Sequence, residues 1–516
     1  MLPVGHSYGY TVAASGSSRG GAKEMDGAGQ NQVIPLNSGN SNDKKKRKRR
    51  VVIIGGGLAG MAAAKDLRSS FHVTVIDAKE YFEFTPGVMR AFCEPSQWLS
   101  SVFMYHEVFE QQLGIRFIHG EVTEVKCDER LVCTKTVFSK KEDHIPYDFL
   151  LVCVGCVYNR VSSTGDYLVF PKGPKSPARL EARFAMDHLD ERFMEGRRRK
   201  ILEEHIELSD MRNQPDNAVV LVVGAGSVGV QSACELKYYF PHLTVVLMDF
   251  LPHCLGPHFS DEIVTYCQAY MDKVGILCIY NKKYDPVRSG FWDEVGIRAP
   301  RKTYIFSGVD SHNQFMDRES LNSPGQGRAS GGWIRVNFHL QAICWTGRPW
   351  GDGRVFAAGD CNALTFEENG KIERFAFPKT AYVAEQQAVH AAKNIKASDK
   401  LMYLPDGNEI LEPKHRVDEP HKNPYLLKTW YPWGAQVYAI SLGPQDGIIA
   451  YGVRGPHKGG KVFSKGRVAA AQKEMIKYTK VKQHQGRQNV LSRFAWYLVH
   501  HWPVNICGSG PLLHCF

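Results

Sequence analysis

Short apolar runs alternate with a helix-favouring stretch just after residue 50. Val51–Ile54 consists of branched apolar residues, Met61–Leu67 is rich in alanine, and Val73–Ile76 is again apolar. Branched runs of this length are typical of strands buried on both faces of a parallel sheet. The pattern therefore predicts a strand–helix–strand unit and an α/β fold.

The same order of elements recurs near the middle of the chain. Val219–Val223 is a second branched run, Val230–Phe240 has a helical pattern, and Leu243–Met248 is the next apolar run. Repetition of one such unit predicts two domains of related architecture. The apolar runs Ile145–Gly155 and Val355–Asp360 predict additional strands.

Glycines stand at the turn of the first unit. Gly55, Gly57 and Gly60 follow the first run in G-x-G-x-x-G spacing, and Asp77 ends the second run. Gly55 allows the tight turn, Gly57 lets backbone N–H groups approach a pyrophosphate, and Gly60 lets helix and strand pack closely. A carboxylate at the position of Asp77 accepts the hydroxyls of an adenosine ribose. The unit is predicted to bind a dinucleotide.

The second unit carries the same chemistry. Gly224, Gly226 and Gly229 have the same spacing, and Asp249 ends the following strand. Two glycine motifs in one chain, each with its acid, indicate dinucleotide binding much more specifically than one motif does. They predict two dinucleotides bound by two Rossmann-type domains.

The charge of the chain is concentrated at one place. The formal net charge is +11, and Lys44–Arg50 (KKKRKRR) supplies seven positive charges. The remainder is only mildly basic, so no specific nucleic-acid partner is expected. Residues 1–50 are predicted to be a disordered basic tail. A nuclear address, contact with anionic lipid and simple solubilisation stay open as its role. The run Arg197–Lys200, in a charged helical pattern, is predicted to be a solvated face.

The 13 cysteines are scattered, mostly within apolar runs, where cysteine acts as a small hydrophobe. Cys153 and Cys156 form the nearest approach to a motif, but no second cluster has metal-ligand spacing. Structural thiols in a reducing compartment and no metal site are therefore expected. No apolar run reaches the roughly 18–20 residues of a membrane span.

Together these motifs resemble the two-dinucleotide flavoproteins of the pyridine nucleotide–disulfide oxidoreductase superfamily. The resemblance covers about residues 50–400, and Gly359-Asp360, Pro378–Tyr382 and Ser441–Gly447 extend it. Within the superfamily the chain is most similar to the apoptosis-inducing-factor-homologous, ferroptosis-suppressor-like group, and next to type II NADH dehydrogenases. The fold implied is glutathione-reductase-like, with two Rossmann-type domains and a C-terminal α+β domain.

The resemblance implies FAD at the first glycine set and NAD(P)H at the second. Lys379 is implied near the flavin, where it would stabilise reduced flavin, and Glu235 near the nicotinamide. The cofactor-binding residues expected in all are Gly55, Gly57, Gly60, Asp77, Arg90, Gly155, Gly224, Gly226, Gly229, Asp249, Gly359 and Asp360. NADH is expected over NADPH, because Asp249 would repel a 2′-phosphate and no Lys or Arg follows within Phe250–Gly256.

The chain also departs from its relatives. The helix Met61–Leu67 holds no redox cysteine pair, so electrons should not leave through a disulfide. Of two glutamates that the group often has after the second glycine set, the first is Gln231 here. The chain starts Met1-Leu2, without the Met-Gly of a myristoylation signal.

The predicted domains are a tail at 1–50, an FAD-binding domain at 51–165 and 301–400, an NAD(P)H-binding domain at 166–300, and a C-terminal domain at 401–516. The predicted function is hydride transfer from NADH to FAD and electron transfer to a quinone or other small acceptor. A respiratory type II NADH dehydrogenase and a slow-turnover, redox-gated signalling protein are the alternatives. The acceptor and the oligomeric state stay open.

The C-terminal segment raises the question of a membrane surface. Val490–Val504 combines aromatic and basic residues, which suits a helix lying at a headgroup boundary or one packed in a core. Upstream lysines are expected to attract anionic lipid, namely Lys473, Lys477, Lys480 and Lys482. The expected location is intracellular, cytoplasmic or mitochondrial, with peripheral membrane attachment as an open alternative.

Overall fold

The computed structural model describes residues 48–487 except 138, 140, 159–190, 212–217, 258, 307, 322–331, 369–370, 376–378, 403–426, 431–436 and 452–459. Most of the predicted tail and the segment Val490–Val504 lie outside the described residues.

A seven-stranded sheet contains the first glycine unit. In spatial order its strands are β16 (Val355–Ala357), β8 (Phe149–Val152), β1 (Arg50–Ile54), β2 (His72–Asp77), β5 (Arg116–Lys126), β6 (Leu131–Thr136) and β7 (Glu142–Pro146). The five strands from β16 to β5 pair in parallel, whereas β5, β6 and β7 pair antiparallel. The branched residues of β1 from Val51 on are at most 3% exposed, as expected for a central parallel strand.

A four-stranded sheet, parallel throughout, contains the second glycine unit. Its spatial order is β12 (Leu277–Ile279), β11 (Thr244–Met248), β10 (Val219–Val223) and β13 (Lys302–Ile305). The predicted strand–helix–strand pattern is present in both units. The fold is α/β with largely parallel sheets.

The smaller sheets complete the strands. They are β3 (Tyr81–Glu83) with β4 (Val102–Met104), β9 (Cys156–Tyr158) with β14 (Val309–Ser311), β15 (Ile334–Val336) with β17 (Asn362–Glu368) and β18 (Lys371–Phe375), and an antiparallel sheet of β19 (Val437–Ser441), β20 (Gly447–Tyr451) and β21 (Lys461–Lys465).

The α-helices are α1 (Leu58–Leu67), α2 (Val88–Cys93), α3 (Met194–Asp210), α4 (Ser227–Tyr239), α5 (Asp261–Val274), α6 (Phe291–Val295), α7 (Ala381–Met402) and α8 (Arg467–His484). Shorter helical turns are Thr85–Gly87, Pro95–Gln97, Leu99–Ser101, Arg318–Ser320 and Trp350–Gly353, with a π-helix at Glu107–Gln112.

Two large apolar clusters organise these elements. One joins the seven-stranded sheet to α1 and α7. The other joins the second sheet to α2 and to the antiparallel sheet, and it includes Val222, Phe92 and Ile448. The second sheet, α2 and the antiparallel sheet therefore share one core.

Contrary to the prediction, the charged run Arg197–Lys200 on α3 is not wholly exposed to solvent. Arg197 is fully buried, and its guanidinium pairs with Glu83 at 3.0 Å and with Glu191 at 2.5 Å. Arg198 is exposed, as a solvated face requires. The prediction was wrong for Arg197, because its partner on β3 is distant in sequence and cannot be seen from local charge pattern.

Candidate functional site

The first glycine turn has the geometry that its spacing predicts. Gly55 has φ +97°, and a Cβ built there would lie 2.5 Å from the carbonyl oxygen of Cys153. A Cβ on Gly60 would lie 1.8 Å from the carbonyl oxygen of Gly55. Around Gly57 nothing lies within 4 Å of a built Cβ, and this residue is the N-cap of α1. The turn presents an open backbone surface at a helix N-terminus, which is a binding place for phosphate.

Asp77 lies beside this turn. Its Oδ2 accepts a hydrogen bond from the Gly56 N–H at 2.6 Å, and its Oδ1 accepts one from the Lys79 N–H at 2.8 Å. These bonds fix the carboxylate at the carboxyl end of β2. Each oxygen retains acceptor capacity for a ribose hydroxyl.

The second turn repeats the first closely. Gly224 has φ +99°. A Cβ on Gly229 would lie 1.8 Å from the carbonyl oxygen of Gly224, and nothing lies within 4 Å of a Cβ built on Gly226. Asp249 accepts from the Ala225 N–H at 2.5 Å and from the Leu251 N–H at 2.9 Å. The two fingerprints therefore share spacing, backbone conformation and a carboxylate–backbone clamp.

A cavity of about 580 Å³ extends from the first turn to the first residues of α4 in the second unit. Gly57 and Asp77 line it from the first unit, and Ser227 and Gln231 at the start of α4 line it from the second. The antiparallel sheet closes it with mainly apolar side chains, among them Tyr438, Ile440, Ile449, Tyr451 and Phe463. The cavity therefore connects the first dinucleotide-binding unit with the N-terminal end of α4 and has an apolar wall.

Asp360 stands in this cavity after β16. The residue is partly buried, and its buried Oδ1 has no hydrogen-bond partner among the described residues. Burial raises the pKa of the Asp360 carboxyl, and the positive charge of Lys379 opposes that rise. Gly359 before it has φ +86°. A buried acceptor without a partner is costly, so this oxygen is poised for a ligand hydroxyl.

Lys379 lies at the cavity wall. Its ammonium donates to the carbonyl oxygens of Asp360 at 2.8 Å and Asn362 at 2.7 Å, and lies 4.1 Å from the ring centroid of Trp333. These contacts hold a positive charge just before α7. Its predicted role beside reduced flavin stays a prediction.

Gly155 and the two neighbouring cysteines also line the cavity. Gly155 has φ +71° with open space around it. Cys153 and Cys156 are buried free thiols, and burial raises the pKa of each. They are therefore poor nucleophiles at neutral pH.

Glu235 and Arg90 were predicted to lie at the cofactors, and this role stays a prediction. Neither is among the described residues that line the cavity. Arg90 Nη2 lies 2.8 Å from Glu235 Oε1, and Arg90 also donates to Glu474, to Ser441 Oγ at 3.0 Å and to the Gly443 carbonyl at 3.3 Å. The two residues form a buried ion pair between α2, α4 and the antiparallel sheet, behind the cavity wall.

Three of the four lysines expected at a lipid surface line the cavity instead. Lys473 donates to Gln231, Lys477 pairs with Glu474 at 2.7 Å, and Lys480 pairs with Glu385 at 2.5 Å. Burial lowers the pKa of Lys473 to about 8. The attraction of these lysines to anionic lipid stays a prediction.

Sequence reasoning missed Gln231 and Lys473 as wall residues. Gln231 was noted only as a departure from a glutamate. A signal was available, because Gln231 lies four residues after Ser227 and therefore on the same helix face.

The residues present fit FAD and a nicotinamide dinucleotide. Gly57 and Gly226 leave two open backbone cradles at helix N-termini, Asp77 and Asp249 end the adjoining strands, and Asp360 offers an unpartnered acceptor. These are the groups that bind pyrophosphates, riboses and a polyol chain.

Comparison with known proteins agrees with this geometry. The chain is 25% identical over 417 residues to apoptosis-inducing factor homolog B of Dictyostelium discoideum, covering 76% of this chain and 87% of that protein. It is 24% identical over 397 residues to the external alternative NADH-ubiquinone oxidoreductase of Yarrowia lipolytica, covering 69% and 60%.

Among solved structures, NDH2 from Plasmodium falciparum in complex with NADH superposes with a TM-score of 0.55. It is 13% identical and covers 88% of this chain and 97% of that one. Residues 49–388 match the pyridine nucleotide-disulphide oxidoreductase family. The resemblance predicted from the sequence is confirmed, and the chain belongs to the pyridine nucleotide-disulphide oxidoreductase family.

Proposed function

We propose that this chain is an FAD-dependent oxidoreductase that takes a hydride from NADH and passes electrons to a quinone. The observation that carries the proposal is a cavity that runs from the first glycine turn to the start of α4, the helix that follows the second glycine turn. Hydride transfer needs the reacting atoms about 3–3.5 Å apart, so two dinucleotide sites must open into one space. Family membership and relatives named as NADH-quinone oxidoreductases support the same reaction.

The chain's own residues bind and orient the two cofactors. The N–H groups around Gly57 at the start of α1 bind one pyrophosphate, and those around Gly226 at the start of α4 bind the other. Asp77 and Asp249 accept hydrogen bonds from ribose hydroxyls, and Asp360 accepts one from a hydroxyl of the flavin side chain. When bound, FAD supplies the acceptor of the hydride and the donor of electrons.

Lys379 contributes charge and the apolar wall excludes water. The Lys379 ammonium, fixed by two carbonyl oxygens, is proposed to stabilise negative charge that develops on the flavin. The side chains of Tyr438, Ile449, Tyr451 and Phe463 give the opposite wall an apolar character suited to a quinone ring.

The proposed domains follow from this assignment. Residues 51–165 and 301–400 would bind FAD, residues 166–300 would bind NADH, and residues 401–516 would close the acceptor side. The protein would be intracellular, cytoplasmic or mitochondrial, and would reach its acceptor at a membrane surface.

Membrane contact is proposed for Val490–Val504, which lies outside the described residues. Among the described helices, none combines the length and apolar character that crossing a bilayer requires. A chain truncated after Gln488 should keep its FAD and its reduction of a water-soluble quinone, and lose sedimentation with anionic vesicles. An insoluble or flavin-free truncated protein would show that the segment is structural.

Steady-state NADH oxidation with a short-chain quinone tests the proposed function. If the chain is an NADH:quinone oxidoreductase, we expect rapid turnover that depends on both NADH and the quinone. A reduced flavin that persists for minutes with NADH and quinone both present would favour the signalling alternative. Turnover with long-chain respiratory quinone in membranes would favour the type II NADH dehydrogenase alternative.

A further inference from the structure

A second group of chemically active side chains lies away from the cavity, on β6 and β7. Cys133 Sγ, a carboxylate oxygen of Glu142 and a ring nitrogen of His144 all lie within 4.8 Å of one another. These atoms are a thiol, a carboxylate and an imidazole. The three are the usual protein ligands of zinc.

Strand register brings the three side chains to one face. Cys133 and His144 are directly opposite each other in the antiparallel pair of β6 and β7. Glu142 lies two residues before His144, so it points to the same face. The next register pair, Val132 and Ile145, is buried and points to the core, so the group lies on the outer face.

The surroundings favour a metal ligand set over an isolated thiol. Thr123 Oγ1 donates a hydrogen bond to Glu142 Oε1, which fixes the orientation of that carboxylate. Carboxylates that bind metal ions are typically held by such hydrogen bonds from neighbouring side chains. Glu124 is directly opposite Cys133 on the other neighbouring strand and adds a second negative charge.

Cys133 is only 1% exposed, whereas Glu142 is partly exposed and His144 is exposed. A zinc ion at this place would bind the deprotonated thiol and neutralise the Glu142 carboxylate.

We propose that Cys133, Glu142 and His144 bind a zinc ion on the outer face of the seven-stranded sheet. A water molecule, or Glu124 after a rotamer change, completes a tetrahedral site. The site joins β6 to β7, the edge strand, and its occupancy stabilises this hairpin. It is independent of the proposed electron transfer, which occurs in the cavity. Local sequence spacing does not reveal it, because the ligands meet only through strand pairing.

Lys135 is the competing charge at this site. It is directly opposite Glu142 in the strand register. A positive charge at this place opposes the binding of a cation. The affinity is therefore expected in the micromolar range rather than that of a four-ligand zinc finger.

Cobalt and zinc titrations of the full-length, flavin-containing protein test the proposal. After dialysis against a chelator, Co²⁺ should bind at one ion per chain. It should produce tetrahedral bands beyond the flavin absorption, and Zn²⁺ should displace it. His144→Ala, which changes an exposed side chain, and Cys133→Ser should each weaken binding at least about tenfold.

Matched controls are Cys127→Ser and His72→Ala, a partly exposed cysteine and an exposed histidine outside the group. Both should bind Co²⁺ as the unmodified protein does. The flavin spectrum and circular dichroism report whether each variant is folded. No binding up to about 100 µM metal, or unchanged binding in folded His144→Ala, would overturn the proposal.

Discussion

The buried pair of Arg90 and Glu235 gives the sharpest test of how the second sheet is held against the rest of the molecule. The Arg90 side chain is 11% exposed and the Glu235 side chain 3%. Arg90 Nε lies 3.1 Å from both oxygens of Glu235, and Nη2 lies 2.8 Å from Oε1. This is a bidentate, charge-assisted pair between α2 and α4.

Replacing Arg90 by methionine keeps much of the side-chain length and leaves Glu235 as a buried charge without its guanidinium. Removing one partner of a buried pair costs about 3–5 kcal/mol. That is a large part of the 5–15 kcal/mol by which folded domains are typically stable. Arg90→Lys keeps the charge but loses the fork, so a smaller cost of about 1–3 kcal/mol is expected.

Urea unfolding followed by flavin fluorescence and by circular dichroism measures the effect. The double variant Arg90→Met/Glu235→Leu should recover part of the lost stability, because no uncompensated charge remains. Arg288→Met is the matched control, since Arg288 pairs with Glu294 at 48% and 40% exposure. That control should leave the free energy of unfolding nearly unchanged, because solvent screens an exposed pair.

The reasoning fails if Arg90→Met lies within about 0.5 kcal/mol of the unmodified protein. It also fails if the double variant loses as much as the two single variants together, because a coupled pair is not additive. Met89 and Gln231 lie beside the pair and line the cavity. Flavin reduction by NADH should therefore slow in folded Arg90→Lys.

Three further predictions concern the cofactor turns and pH. Gly57→Leu should fold but purify colourless, because the leucine side chain would enter the open space proposed for the pyrophosphate; a yellow variant would contradict the proposed FAD site. Gly60→Ala should lower the thermal stability, because its Cβ would lie 1.8 Å from the carbonyl oxygen of Gly55. The kcat/KM for NADH should exceed the kcat/KM for NADPH, and Asp249→Asn should lower the ratio of the two at least about tenfold. Equal kcat/KM values for NADH and NADPH in the unmodified protein would contradict the role given to Asp249. Burial opposes ionisation of Glu385, but Lys480 and His484 lower its pKa to about 2. The stability that it contributes is present above about pH 4.5 and is lost as pH falls towards 2, so denaturation midpoints should vary less over this interval in Glu385→Gln.

The sequence predicted the two glycine turns well because each glycine meets a local requirement. A side chain on Gly60 or Gly229 would overlap a carbonyl oxygen of the preceding turn, and Gly55 and Gly224 require a positive φ. Such constraints act within a few residues, so spacing alone exposes them. The positions of Asp77 and Asp249, where the strand after each glycine turn ends, could be predicted from the same local geometry.

Contacts between distant segments could not be predicted in this way. Arg197 appears in a charge run typical of solvent, yet its partner Glu83 lies 114 residues earlier. The lysines of α8 and Glu235 of α4 are equally ambiguous, because local pattern does not say which element covers them. Only the packing of the antiparallel sheet against α4, and of α8 against the antiparallel sheet, turns these charges inward.

An anaerobic titration of the purified protein with NADH tests the central claim most directly. We expect a yellow protein whose flavin absorbance disappears with one NADH per flavin and returns on addition of a short-chain quinone. A protein that binds no FAD, or whose bound flavin keeps its oxidised spectrum with excess NADH, would contradict the account.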